Sequence, residues 1–84
     1  MPTIDVGNPT NALDRARQAA RALVDREERR WGSRMSAYAA VAATVGASPE
    51  WVRRFCCGYA DARCDLVVGF NLLAQYERVQ RRSE

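Results

Sequence analysis

Between Tyr38 and Gly58 the chain reads YAAVAATVGASPEWVRRFCCG, and Gly46 in the middle of that run is the residue that most restricts what can form. Glycine enters the left-handed backbone region without steric cost, so a glycine four places after Ala42 suits a helix that must stop and turn sharply. Ala42 is small enough for two helices to cross closely above it. Val41 and Val45 precede the turn, and Val52 and Phe55 follow it at helical spacing, so all four point to one apolar seat behind the bend. Ser48 is placed to cap a second helix, with Pro49 in its first position and Glu50 in its positive first turn. The spacing therefore predicts a helix from about Arg34 to Val45, a turn over Gly46, Ala47 and Ser48, and a short helix from about Pro49 to Cys57. Ser33 or Ser36 is expected to cap the first of these, and Gly58 to end the second.

The pattern formed by Val41, Ala42, Val45, Gly46, Val52, Phe55 and Gly58 resembles the helix-turn-helix of the lambda repressor and Cro class of phage and mobile-element regulators. The resemblance covers about a quarter of the chain closely. It departs from the class at the surface, where Pro49 and Glu50 stand at positions often polar and Trp51 is large for a position often half exposed. The resemblance implies double-stranded DNA as the partner, with the helix at about 49–57 in the major groove and a role as a small transcriptional repressor. Arg53 and Arg54 would reach base edges or phosphates, Glu50 could accept from a cytosine amino group, and Tyr38 and Ser48 would contact the backbone. Pro49 and Cys57 complete the expected contact set. Trp51 is expected to pack against the first helix instead, and Arg34 to lie at the rim.

The remaining sequence completes an all-α reading: a small four- to five-helix domain over residues 11–84, preceded by an arm over residues 1–10. Met1 to Pro9 holds two prolines and a glycine with little periodicity, and its only charge is Asp5, which gives a nucleic-acid groove nothing to attract. A first helix is expected from about Asn11 to Trp31, capped by Thr10 or Asn11 and stopped by Gly32. Leu13, Ala16, Ala20, Leu23, Val24 and Trp31 form its apolar stripe, and Arg15, Arg17, Arg21, Arg26, Arg29 and Arg30 its solvated face. Tyr59 to Cys64 reads as a connection. Asp65 is placed to cap a last helix, roughly Leu66 to Arg82, which carries two stripes: Leu66, Phe70 and Leu73, and Val68, Leu72 and Val79. Two stripes call for two packing partners, the domain core and, for the other, a second copy of the chain or a broad face within one monomer.

Composition narrows the function classes. All 13 basic residues are arginine, the net charge is +3 and the pI is about 9.1, a balance that permits nucleic-acid binding without demanding it. Between positions 33 and 58, Arg34, Arg53 and Arg54 face Glu50 alone. There is no histidine and no glycine-rich phosphate loop, which removes Ser-His and Cys-His chemistry and argues against an enzyme. Cys56, Cys57 and Cys64 are odd in number and match no common zinc module even with Asp61 or Asp65, so no metal or other cofactor is expected, and free thiols are. Cys56 and Cys57 are adjacent and cannot share a helix face. No apolar run approaches the roughly 20 residues that span a bilayer, so a cytoplasmic protein with no membrane partner is expected. The second function expected is a protein-interaction module on the same scaffold, an inhibitor or antiactivator with a regulatory protein as its partner.

Overall fold

The computed structural model describes residues 9–59 and 62–83, and these fold into four helices with no strand among them: α1 (Pro9–Trp31), α2 (Arg34–Val45), α3 (Pro49–Cys56) and α4 (Leu66–Ser83). α1 starts two residues earlier than the spacing suggests. Thr10 and Asn11 lie inside its first turn instead of capping it, and Pro9 takes the opening position, where its missing N–H would have had no helical partner in any case. The arm expected over residues 1–10 therefore loses its last two members to α1, and residues 1–8 lie outside the described residues. Gly32 ends the helix at φ 74°, its N–H donating to the Glu28 carbonyl at 2.7 Å.

The three remaining helices begin on short polar caps, and α2 and α3 end on glycines. Ser33 caps α2 by accepting from the Ser36 N–H at 3.2 Å, and Ser48 caps α3 by accepting from the Trp51 N–H at 3.1 Å. Asp65 caps α4, with its Oδ1 accepting from the Val67 N–H at 2.7 Å. Gly46 sits at φ 80°, ψ 35°, and both its own N–H and that of Ala47 reach back to the Ala42 carbonyl. This closure lets α3 begin three residues after α2 stops. α3 ends in a similar way: Gly58 at φ 83° donates to the Phe55 carbonyl, and Tyr59 to that of Arg54.

Helix packing follows from small residues. Ala16, Ala20, Ala37, Ala42 and Ala62 make up much of the buried cluster, which lets helix axes approach closely around a few larger side chains. Val41, Val45, Val52 and Phe55 are all buried in that cluster, so the seat behind the α2–α3 turn is formed as the spacing requires. From α4, Leu72 enters the same core completely, with Val68, Tyr76 and Val79 packed around it. Asn71 of α4 donates to the Val45 carbonyl at 3.1 Å, satisfying an acceptor at the end of α2 that has no helical partner.

Two parts of the expected α1 stripe face outward. Trp31 is 57 % exposed, with its indole N–H donating to Glu27 and the Arg30 guanidinium 5.4 Å from its ring centre, and Leu13 is exposed near the other end. Two arginines assigned to the solvated face reach across to α3 instead. The Arg17 Nε donates to the Phe55 carbonyl at 3.0 Å and its guanidinium lies 4.9 Å from the Phe55 ring centre, while the Arg21 Nε donates to the Cys56 carbonyl at 2.8 Å. These guanidinium groups satisfy carbonyls at the C-terminal end of α3, where the helix dipole favours positive charge.

Phe55→Ala should lower unfolding free energy by about 3–5 kcal/mol in urea melts, because it empties the centre of a small core. Gly46→Ala should cost about 1–2 kcal/mol, from backbone strain alone, since nothing lies within 4 Å of the added methyl. Arg21→Ala should cost roughly 1–3 kcal/mol by leaving a part-buried carbonyl without its donor.

Candidate nucleic-acid interface

The outer face of α3 follows from its inner one. With Val52, Phe55 and Cys56 buried, helical spacing sends Glu50, Arg53, Arg54 and Cys57 to the opposite side, next to Ser48 and Pro49 at the N-terminal end. Ser48, Pro49, Glu50 and Cys57 are exposed, and Arg53 and Arg54 are half-exposed. Six of the seven residues expected at a contact surface are thus on one side of α3 and its first turn.

Tyr38 is the exception and is a correction. It is only 6 % exposed, packed in the core beneath α2, and its hydroxyl accepts from the Arg34 Nε at 3.0 Å. Position 38 is on the same face of α2 as Val41, Ala42 and Val45, so burial is the outcome of its own register. Arg34 also departs from its expected place at the rim. It bridges Asp25 at 3.2 Å and Glu28 at 2.9 Å, tying the start of α2 to the end of α1, and these bonds, that to Tyr38 foremost, raise its pKa above the ordinary arginine value. The positive character expected from Arg34 is therefore cancelled by the two α1 acids.

The arginines on α3 are organised by Glu50. Arg53 meets its carboxylate through two donors, Nε at 3.3 Å and Nη2 at 2.7 Å, and Arg54 Nη1 lies 3.9 Å from the same carboxylate. The hydrogen bond from Arg53 holds the Glu50 carboxyl below its usual pKa and raises that of Arg53. The Arg54 guanidinium also lies 5.0 Å from the Tyr59 ring centre. The pair lies at the surface, with Glu50 exposed and Arg53 half-exposed, where such contacts are weak and screened by salt. A phosphate oxygen could replace the carboxylate in the same fork geometry.

Trp51 packs in a different place from the one expected. Its ring stacks on Phe55 with centroids 4.6 Å apart, and its indole N–H donates to the Arg63 carbonyl at 2.7 Å, so it clamps α3 to the connection before α4 rather than to α1. The positioning residues that sequence spacing missed are thus Arg17, Arg21 and Trp51. Arg17 and Arg21 are four apart on the side of α1 next to the apolar stripe, the one sequence sign that they could reach a packed neighbour.

The cysteines separate as adjacency requires: Cys56 is buried, Cys57 exposed and Cys64 intermediate, all three free. Burial pushes the Cys56 thiol up to about 11 and raises that of Cys64 as well. No described helix is long and apolar enough to cross a membrane. No family model, curated protein or solved structure matches this chain.

An aqueous thiol reagent at neutral pH should modify Cys57 first in the folded protein. Cys56 should react only when the protein is unfolded, because it lacks both access and thiolate. Mass spectrometry of the digested product checks the order.

Proposed function

We propose that this chain binds double-stranded DNA as a small transcriptional regulator, a repressor of the phage or mobile-element kind acting in the cytoplasm, with α3 in the major groove and a second copy recruited through α4. The observation that carries the DNA reading is the pairing of a fixed inner face with an accessible outer one. α3 is anchored through Val52, Phe55 and the Arg17 and Arg21 bonds to its C-terminal carbonyls, while Glu50, Arg53, Arg54 and Cys57 remain on its far side. A short helix held rigidly by its inner face and carrying two guanidinium groups outward fits a groove lined by phosphates and base edges. Ser48 and the first amides of α3 add a favourable place for one backbone phosphate.

A second reading has its own support. Glu50 offsets one of the two α3 charges, and Leu66 and Phe70 of α4 stand well out in water, at 87 % and 71 % exposed. Those features suit a protein-interaction module whose partner is a regulatory protein. Salt separates the two readings, because contacts with phosphate release counterions and contacts with an apolar protein face do not.

Under the DNA reading, duplex affinity measured by fluorescence anisotropy should fall steeply between roughly 50 and 200 mM salt. Replacing Arg53 and Arg54 together by Ala should weaken binding by about 1–3 kcal/mol per base-reading arginine and flatten the log-log salt slope by about 2. Glu50→Gln should do the reverse, tightening non-specific binding by leaving the guanidinium groups to the phosphates. Unchanged duplex binding in the double arginine variant would overturn the proposal.

A further inference from the structure

The two arginines that cap the C-terminal end of α3 differ in what they leave open. Arg17 donates its Nε to the Phe55 carbonyl at 3.0 Å, stands over the Phe55 ring and is half-buried, with Asp14 3.8 Å from its Nη1. Arg21 donates its Nε to the Cys56 carbonyl at 2.8 Å, yet the residue is exposed. That bond engages a single donor of the guanidinium and leaves its Nη1 and Nη2 edge, a planar fork that matches a phosphate. Among the described residues no carboxylate forms an ion pair with Arg21. Helical spacing offers it Asp25, one turn further along α1, but Asp25 is bonded to Arg34 at 3.2 Å.

We infer, on the footing of the proposed DNA binding, that Arg21 is a phosphate-contact residue: its Nε caps α3 while its Nη1 and Nη2 edge holds the phosphate strand that passes the C-terminal end of that helix. α3 has eight residues and so rises about 12 Å, close to the width of a major groove, which leaves neither of its ends far from phosphates. The two ends differ electrically. Amides at the N-terminal end attract a phosphate, whereas carbonyls at the C-terminal end repel one.

Cys56 is the last residue of α3, and a guanidinium bonded to its carbonyl reverses the sign at that end. Of the arginines near Cys56, Arg21 is the one with an edge to give. Arg34 also stands close to the Cys56 thiol, but Asp25, Glu28 and the Tyr38 hydroxyl hold it. Arg17 is closed off by the Phe55 ring. Glu50 lies in the first turn of α3, at the opposite end, so it offsets Arg53 and Arg54 and leaves Arg21 its charge.

Binding to a mixed-sequence DNA duplex, followed by fluorescence anisotropy across a range of salt, reads this contact. Arg21→Gln removes the charge and keeps an amide that can donate to the Cys56 carbonyl. It should lower the log-log salt slope by about 0.9, the value of one phosphate contact, with affinity down several-fold at low salt and converging on that of the unaltered chain as salt rises. Losing the cap alone weakens binding equally at every salt concentration, so the slope separates phosphate contact from support of α3. Arg21→Lys keeps the charge and should hold the original slope, even where circular dichroism shows a lower melting temperature. An unchanged slope in Arg21→Gln, or a slope in Arg21→Lys as low as that of Arg21→Gln, overturns the assigned contact. The same titration checks the DNA reading separately. If replacing Arg53 and Arg54 by Ala flattens the slope and Arg21→Gln does not, Arg21 is a cap only and the α3 surface stands. If the unaltered chain shows no salt-dependent duplex binding, the DNA reading falls and the Arg21 contact falls with it.

Discussion

The left-handed turn at Gly46 fixes where everything on α3 points. Because the Ala42 carbonyl accepts from both Gly46 and Ala47, α2 stops there, and three residues later Ser48 starts α3. That short link leaves α3 little choice of direction. The direction it takes is held by the apolar seat of Val41, Val45, Val52 and Phe55, all of them buried in one cluster. A turn without the seat would leave α3 swinging. A seat without the turn could not be reached by a helix of only eight residues.

A second constraint acts at the other end of α3. Eight residues are too few for a helix to be stable alone, and half of its carbonyls lie in the terminal turn with no helical partner. Arg17 and Arg21 supply donors from α1, and the Schellman closure at Gly58 supplies more. The chain therefore uses arginine in two distinct ways. The guanidinium groups of Arg17 and Arg21 replace missing backbone donors and stiffen α3, whereas Arg53 and Arg54 carry charge to its outer face. Composition alone merges these roles into a single total of 13.

How much could be read from the sequence depended on whether a feature is local. Gly46, Ser33, Ser48 and Asp65 act on backbone groups within four residues, so spacing was enough to place the α2–α3 turn and the caps at Ser48 and Asp65, and to narrow the third to Ser33 or Ser36. The start of α1 was also local, but Pro9 reads equally as loop punctuation or as a first helical residue, and the loop reading placed the boundary two residues late. Tyr38 was readable as well: it shares the face of Val41 and Val45, and an aromatic hydroxyl suggested a contact where periodicity gave burial. Arg17, Arg21 and Trp51 were not readable, because their partners lie 38, 35 and 12 residues away in the chain. A charged stripe looks the same in sequence whether it meets water or the carbonyl end of another helix.

The ion pairs on the two ends of this unit differ in a way that bears on function. Arg34 is held by three partners on two helices, so drawing it toward an outside anion would give up Asp25, Glu28 and the Tyr38 hydroxyl together and loosen α1 from α2. Arg53 is held by one carboxylate on its own helix, at the half-exposed outer face of α3, and exchanging Glu50 for a phosphate would leave the bonds between α1 and α2 intact. Under the proposed DNA reading, Glu50 would act on selectivity more than on affinity. It keeps the fork of Arg53 in a defined geometry, and it would repel any phosphate that did not displace it. A polyanion would then have to offer its charge at the position of the Glu50 carboxylate, which would turn a general attraction between opposite charges into a requirement for register.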